Sequence, residues 1–424
     1  MVRMREICAV VLSVVLAAAS LAGAATTKVV HVMADHGEPF LEFLNERARA
    51  FEAKYPDVEV EVFAQQTDYT TKVQLLIAAG TQVDVLDSTH SFMAFSFTDS
   101  LADLMPYVKA EKINLDRDML PFAQLVLMKD GKLYGIPSQL YGVVASYNRT
   151  YFDEIGVTPL RKLGEEWTWD WLRNNGGRLL KDIDGDGILE TGAVTFSASF
   201  INVSPTIHQA GGSMFDSYIH PRRVNMMHPA VRTGLGFYVE LTQRGWVGSQ
   251  SFFTKRGNAI NFYATGAHSS NFTPDGDLFE AVVQPKGPVR RGGHTMFGPF
   301  HVPAASNHQE WAFRWIAFLG MNEESQVKMM EATGRIPAHP PTLRKIGNYL
   351  GYAEPHVRDY LLQVTEASMH ADMYPHTLTQ AEGAIRSFFD AAFRQVLNGM
   401  QPLETFLETM QTQIQIELDK LWAN

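Results

Sequence analysis

Cysteine is nearly absent. Of 424 residues only Cys8 carries a thiol, and it lies in an amino-terminal stretch that export would remove. A disulfide framework and thiol catalysis are thereby excluded, and stability must come from an ordinary apolar core. Basic runs are absent as well: no five consecutive Lys or Arg occur, and the formal net charge is -10. A nucleic-acid binder would carry a basic patch or stripe, so no such partner is expected. Beyond Thr27 no uncharged apolar run is long enough to cross a membrane. G-x-S-x-G, G-x-x-x-x-G-K-[ST] and G-x-G-x-x-G are missing, which removes the usual hydrolase, phosphate-loop and dinucleotide signatures. Among 14 histidines none falls in H-x-x-x-H or H-E-x-x-H, so zinc-ligand spacing is lacking too.

What is present begins with an export signal. Arg3 and Arg5 precede an uncharged run from Ile7 to Thr27 that shades into Ala22-Gly23-Ala24, the pattern of a cleaved signal peptide over residues 1–25. A single membrane anchor is the alternative for such a run. The remaining length is too great for one ordinary core, so two domains are expected.

The first part of the mature chain alternates strand and helix signals. "KVVHVM" reads as a strand; Phe40, Leu44, Phe51 and Tyr55 form one helical stripe, with Pro39 in the first turn and Pro56 at the end. "VEVEVF" alternates as a half-exposed strand, a second helix covers about Tyr69 to Ala79 with Gly80 as its cap, and "QVDVLDS" is a third strand. Strand–helix–strand–helix–strand means a parallel α/β layer, and ligands bind such layers at the carboxyl ends of the strands. Those ends carry His36 and Glu38 after the first strand, and Asp87, Ser88 and His90 after the third.

Farther on, "SLADLMPYV" suggests a short helix ended by Pro106. Asp130-Gly131 reads as a tight hairpin turn, and an extended run follows from Leu140 to Asn148. Thr168 suits a helix amino cap, and a capping box is expected from Ser306 with Gln309 or Asn307 with Glu310. The carboxyl-terminal part is helical, broken at Asn398-Gly399, with Leu403, Leu407, Met410, Ile414 and Leu418 as the last stripe.

"DIDGDGILETGA" places Asp182, Asp184 and Asp186 at positions 1, 3 and 5 of a calcium-loop template, with Gly187 at 6. Ala193 stands where the bidentate Glu belongs, and Glu190 could contribute through water. A solvated acidic turn and a structural calcium site are both open. Trp167, Trp169 and Trp171 could stack on a sugar or anchor a core, and their helix-start position favours the core.

Several stretches in order resemble the extracellular solute-binding proteins of ATP-driven importers, a large, mostly sugar-binding family that includes maltose-binding-protein-like chains. They are "RAFEAKYPDVEVEVF", "DYTTKVQLLIAAGTQVDVLDS", "SLADLMPYV", "DGKLYGIPSQLYGVVASYNRTYFDEIGV", "EEWTWDWL", "DIDGDG", "QAGGSMF", "QPKGPVRRGG" and "EATGRIPAHP". Val83 replaces the family's usual Pro, and "HSSNF" lacks the Trp often found in that region.

The resemblance implies an α/β fold of two interleaved lobes joined by hinge strands, of the type II periplasmic binding protein kind. Lobe one would comprise 26–139 plus 293–339, and lobe two 140–292 plus 340–424. It implies a monomeric, periplasmic ligand-capturing component of an ABC importer, not an enzyme, meeting the permease subunits and binding a carbohydrate or related sugar or polyol derivative. A secreted glycosidase or lyase is the alternative, since its paired carboxylates are spatial and leave no sequence motif. No cofactor is required beyond a candidate structural calcium. The ligand-binding set implied by the cleft is His36, Glu38, Asp87, Ser88, His90, Tyr141, Gly211, Gly212, Asn261, Tyr263, Phe272, Phe297, Gly298 and Arg335. His36, His90 and Arg335 together would suit an anionic ligand, such as a phosphorylated or sulfonated sugar or polyol.

Overall fold

The computed structural model describes residues 26–34, 36–65, 69–87, 100–182, 185–187, 189–218, 221–248, 257–264, 276–370, 372–375, 379 and 381–423. Its strands are β1 (Thr27–Met33), β2 (Val58–Ala64), β3 (Val85–Asp87), β4 (Met128–Lys129), β5 (Lys132–Leu133), β6 (Ile136–Gly142), β7 (Val144–Asn148), β8 (Gly192–Thr195), β9 (Asn258–Ala264), β10 (Phe279–Val282), β11 (His294–His301), β12 (Ile336–Pro337) and β13 (Tyr374–Pro375). The longer helices are α1 (Glu38–Lys54), α2 (Tyr69–Ala78), α3 (Pro229–Gln243), α4 (Gln309–Gly320), α5 (Glu323–Thr333), α6 (Pro355–Ser368), α7 (Glu382–Leu397) and α8 (Leu403–Trp422).

One sheet runs β12-β6-β11-β3-β1-β2, with β13 paired to β11; a second runs β10-β7-β9-β8. β1 pairs in parallel with both β2 and β3, as the alternation of strand and helix signals predicts. α1 covers that layer because Phe40, Leu44 and Phe51 are all buried on one stripe, and it stops at Tyr55 before Pro56. The hairpin is also present: Asp130 and Gly131, both at positive φ, join β4 to β5.

Two large apolar cores hold the two sheets, and a smaller cluster of Val32, Val73, Val83, Leu86 and Leu101 packs α2 on the first sheet. The first gathers Val29, Phe40, Phe51, Val85, Leu140, Phe300, Trp315 and Tyr360. The second gathers Tyr147, Trp167, Trp169, Ile207, Phe237, Ile260, Phe389, Phe406 and Ile414. Of the segment 340–424, the apolar side chains from Leu343 to Ala367 lie in the first core and those from Ala381 to Leu418 in the second. Trp169 stacks on Phe237 with ring centroids 4.1 Å apart, so the tryptophan triplet anchors the second core. Its helix starts as expected, the Thr168 hydroxyl accepting from the Trp171 amide.

Two local expectations fail. Pro106 opens the helix Met105–Ala110 instead of ending one, because the first turn has no use for an amide hydrogen there. No capping box precedes α4: Ser306 donates to the buried Asp84 carboxylate at 2.6 Å, and no side chain caps the helix at His308.

The chain passes between the sheets twice, from β6 to β7 and from β10 to β11, and a third crossing leads from the first core at Ala367 to the second at Ala381 by way of β13. The crossings lie against each other. Val143 donates its amide to the His294 carbonyl at 2.9 Å, and Tyr374 donates to the Gly293 carbonyl at 3.2 Å. A Cβ on Gly293 would fall 2.1 Å from the Val143 carbonyl oxygen. Gly293→Ala is therefore expected to lower the unfolding free energy by about 1–3 kcal/mol through overpacking, measured by urea denaturation; an unchanged midpoint would show that the crossings can part.

Candidate functional site

The carboxyl ends of β1 and β3 lie where the crossing strands β6 and β11 extend past them toward the second sheet. β11 runs antiparallel to β3, with Phe300 opposite Asp87. Residues before Phe300 on β11, and Gln139 to Gly142 on β6, therefore lead from the first lobe to the second. β12 adds Pro337 beside Gln139, which brings the preceding Arg335 to the same place.

A connected polar cluster forms here. Asp87, 2% exposed, accepts from His36 Nε2. Arg335 Nη1 lies 3.1 Å from His36 Nδ1 and donates to Gln139 Oε1 at 2.8 Å; Nη2 donates to the His36 carbonyl at 3.1 Å. The guanidinium sits 5.2 Å above the Phe40 ring, and His36 packs on the same ring at 4.7 Å. A histidine that donates from one nitrogen and accepts at the other is neutral. Tyr69 braces the end of β3, accepting from the Asp87 amide at 3.1 Å and donating to the Val32 carbonyl at 2.8 Å. Among the described residues, Gln139 Nε2 and Asp87 Oδ2 are buried without a hydrogen-bond partner. Gly298 leaves the space beside Gln139: a Cβ there would lie 2.8 Å from Nε2.

Two further histidines lie beneath this cluster. His31 accepts from the Trp315 indole at 3.2 Å, and His301 Nδ1 donates to the Tyr134 carbonyl at 2.6 Å. Desolvation by burial pushes both down to about 4, although the Asp87 charge works the other way.

At the crossings a second polar group joins the helix Ser204–Gln209 to β11 and β13. The His208 ring stacks on Tyr374 with centroids 3.8 Å apart. Tyr374 donates its hydroxyl to Ser204 Oγ at 3.0 Å, which lies 3.2 Å from His294 Nδ1. Tyr218 reaches His208 Nδ1 at 3.4 Å. Burial, reinforced by the nearby Arg290 charge, brings His208 down to about 4.

Of the residues singled out from sequence, His36, Asp87, Gly298 and Arg335 come together. Glu38 is exposed in the first turn of α1. Phe297 is buried in the first core, 5.6 Å from Phe122. Tyr141 is half-buried against the second core. Asn261, on β9, is half-buried opposite Ser146, and Tyr263 lies on the same strand. Gly211 and Gly212 pack on this chain's own Val289 and on Ala230 and His228. Ser88, His90, Phe272 and Asp184 lie outside the described residues. Gln139 and the His208–Tyr374 stack were not anticipated. Gln139 had a weak signal, an amide between Ser138 and Leu140 in a strand-like run; His208 and Tyr374 had none.

The acidic turn does converge. Asp182, Asp186 and Glu190 bring carboxylate oxygens within 4.8 Å of one another. Asp182 also accepts from the Gly185 and Gly187 amides at 2.6 and 2.8 Å, which closes the turn.

Two sheets on separate apolar cores thus meet at the crossings, with the polar cluster of His36, Asp87, Gln139 and Arg335 beside them. The chain matches the family described as bacterial extracellular solute-binding protein over residues 46–342. It belongs to that family. Solved structures share the fold across nearly all of this solute-binding protein. The sugar-binding protein MalE from Xanthomonas citri matches with a TM-score of 0.76 at 18% identity, over 93% of this chain and 98% of the other. An ABC substrate-binding protein from Listeria monocytogenes in complex with cycloalternan matches with a TM-score of 0.74 at 20% identity, over 94% and 99%. UgpB from Mycobacterium tuberculosis in complex with glycerophosphocholine matches with a TM-score of 0.73 at 17% identity, over 93% and 99%. At these identities the likeness establishes the two-lobe periplasmic binding protein fold. No curated protein sequence matches the chain. Among the described residues no helix is long and apolar enough to cross a membrane.

The buried histidines set a pH dependence. Unfolded histidine takes its proton near 6.5, whereas His31, His208 and His301 in the folded protein do so only near 4. Between those values the unfolded state binds more protons, so stability is full above about pH 6.5 and falls as the pH drops toward 4. Urea denaturation across that range should show the fall, and His301→Gln should make it shallower. A flat profile would contradict the neutral burial of these rings.

Proposed function

We propose that this solute-binding protein is the ligand-capturing component of an ABC importer, exported to the periplasm, where it binds a carbohydrate or related sugar or polyol derivative between its lobes. The observation that carries this reading is the polar cluster of His36, Asp87, Gln139 and Arg335 at the strand ends of the first sheet beside the crossings, with the His208–Tyr374 stack at the crossings as well. Carboxylate, amide and guanidinium groups suit hydroxyls, and a stacked aromatic pair suits the apolar face of a sugar ring. Known structures with this fold include proteins solved with cycloalternan, maltose and glycerophosphocholine. The role requires no cofactor, and calcium at the Asp182 turn would serve only to brace it.

In this reading the first lobe ends near Gly142, resumes near Gly293 and ends again after Ser368, where the apolar side chains change core. Ligand shifts a population between open and closed lobes by contacting both sides at once. The closed monomer then meets the permease subunits with the rims of its two lobes.

The mature chain, screened by thermal shift against sugars and polyols, should be stabilised by one of them. At a hundredfold excess over Kd the gain is about 2.7 kcal/mol. The same ligand should make the scattering profile more compact, bind one per chain and be recovered unchanged. Release of a cleaved product would instead identify a glycosidase or lyase, and superimposable profiles with and without a bound ligand would sink the closing cleft.

A further inference from the structure

We infer that the ligand carries an oxyanion beside its hydroxyls, and that Arg335 recognises it. The inference rests on the binding role proposed above and names the chemical class that the cleft selects.

Arg335 is held by neutral acceptors. Its three hydrogen-bonded donors go to the His36 imidazole, the His36 carbonyl and the Gln139 amide oxygen, and Phe40 supports its face. Among the described residues no carboxylate touches it; Asp87 stands one imidazole away, joined to His36. An arginine meant only to hold a structure together is usually met by a carboxylate, which satisfies both its charge and its fork. Here the charge is positioned without being taken.

The geometry of the fork sharpens the point. A guanidinium has five N–H donors. Two bonds from Nη1 and one from Nη2 leave, among the described residues, the Nε–H and one Nη2–H, and Nε and Nη2 share one edge of the fork. That edge matches two oxygens of a carboxylate, phosphate or sulfonate. Arg335 is only half-buried, so the edge has access to solvent.

Two buried neighbours extend the pattern. The Gln139 side chain is fully buried, and with its oxygen committed to Arg335 its Nε2 donor has no acceptor among the described residues. Asp87 Oδ2 is likewise a buried acceptor without a donor. An additional oxygen would satisfy the first and a hydroxyl the second, at the cost of a small rearrangement to reach them. Leaving such groups unpaired is costly, so a ligand that completes them gains affinity over one that does not. The complement of the whole set is a small hydroxylated anion: a sugar or polyol phosphate, sulfonate or uronate.

The test compares matched pairs by calorimetry on the mature chain: glucose with glucose 6-phosphate and with glucuronate, and glycerol with glycerol 3-phosphate. At least one anionic member should bind more tightly than its neutral parent by about tenfold or more, the scale of a charge-assisted hydrogen bond. Arg335→Gln should lose that advantage while keeping its circular dichroism spectrum, and Arg335→Lys, which retains the charge but not the fork, should keep part of it. Should Arg335→Gln fail to fold, the matched pairs on the unmutated chain and the Arg335→Lys variant still decide. Neutral sugars or oligosaccharides binding as well as or better than every anionic member would overturn the inference while leaving the sugar-binding role intact. Failure of a wide panel of sugars and polyols, neutral and charged, to bind at all would overturn both.

Discussion

Three strands passing side by side between two cores leave almost no room at the point where they meet, and that crowding organises everything around it. Val143, Gly293 and Tyr374 come from distant parts of the chain, yet their backbones are joined by hydrogen bonds and their spacing admits no methyl group at Gly293. Each core is assembled from separated segments, so the crossings tie its parts together. Rotation of the lobes must then be absorbed by a few backbone positions near this junction, since the packed cores on either side do not deform continuously. The same junction sets the site. Gln139 and Gly298 face each other across paired crossing strands, while His294 and Tyr374 belong to the crossings themselves. A shift of register here would move both halves of the cleft at once.

Burial decides the electrostatics of the first lobe. Asp87 sits among His31, His36 and His301, an arrangement that in water would draw protons onto the rings. Desolvation outweighs that pull for His31 and His301, so the carboxylate is surrounded by neutral rings and not by cations. His36 then has one tautomer that fits, donating toward Asp87 and accepting from Arg335. The result is a wire of hydrogen bonds with its negative end buried and its positive end half-exposed at the cleft. Such an arrangement orients the guanidinium more tightly than a flexible surface ion pair, which loses side-chain entropy for little gain.

How much of this the sequence displays depends on how local the cause is. The parallel layer, α1 and its stripe, the Asp130-Gly131 turn and the Thr168 cap follow from periodicity and turn chemistry within a few residues, and all are present. Pro106 and the missing capping box mark the limit of such rules. A proline opens a helix as readily as it closes one, and Ser306 is drawn to a buried carboxylate more than two hundred residues away. Strand-end logic located His36 and Asp87, and Arg335 came from a motif of the family. Their meeting needs β12 to pair with β6, a contact between residues almost two hundred positions apart. Gln139 could be noticed but not assigned, because an amide in a strand-like run has many uses. Nothing in the local sequence links His208 to Tyr374, whose stack exists only because the third crossing returns beside the helix Ser204–Gln209.

The acidity of the whole chain bears on the ligand less than it first suggests. A net charge of -10 repels anions at long range, but the Debye length at physiological ionic strength is about 8 Å, so distant carboxylates are largely screened at the cleft. Contacts at hydrogen-bond distance in a partly desolvated site are screened far less. On the reading proposed above, selection therefore falls to the few groups that would touch the ligand, in the first lobe Arg335, Gln139 and Asp87. On that reading the choice of guest is a local matter, made at Arg335, which among the described residues has no carboxylate of its own.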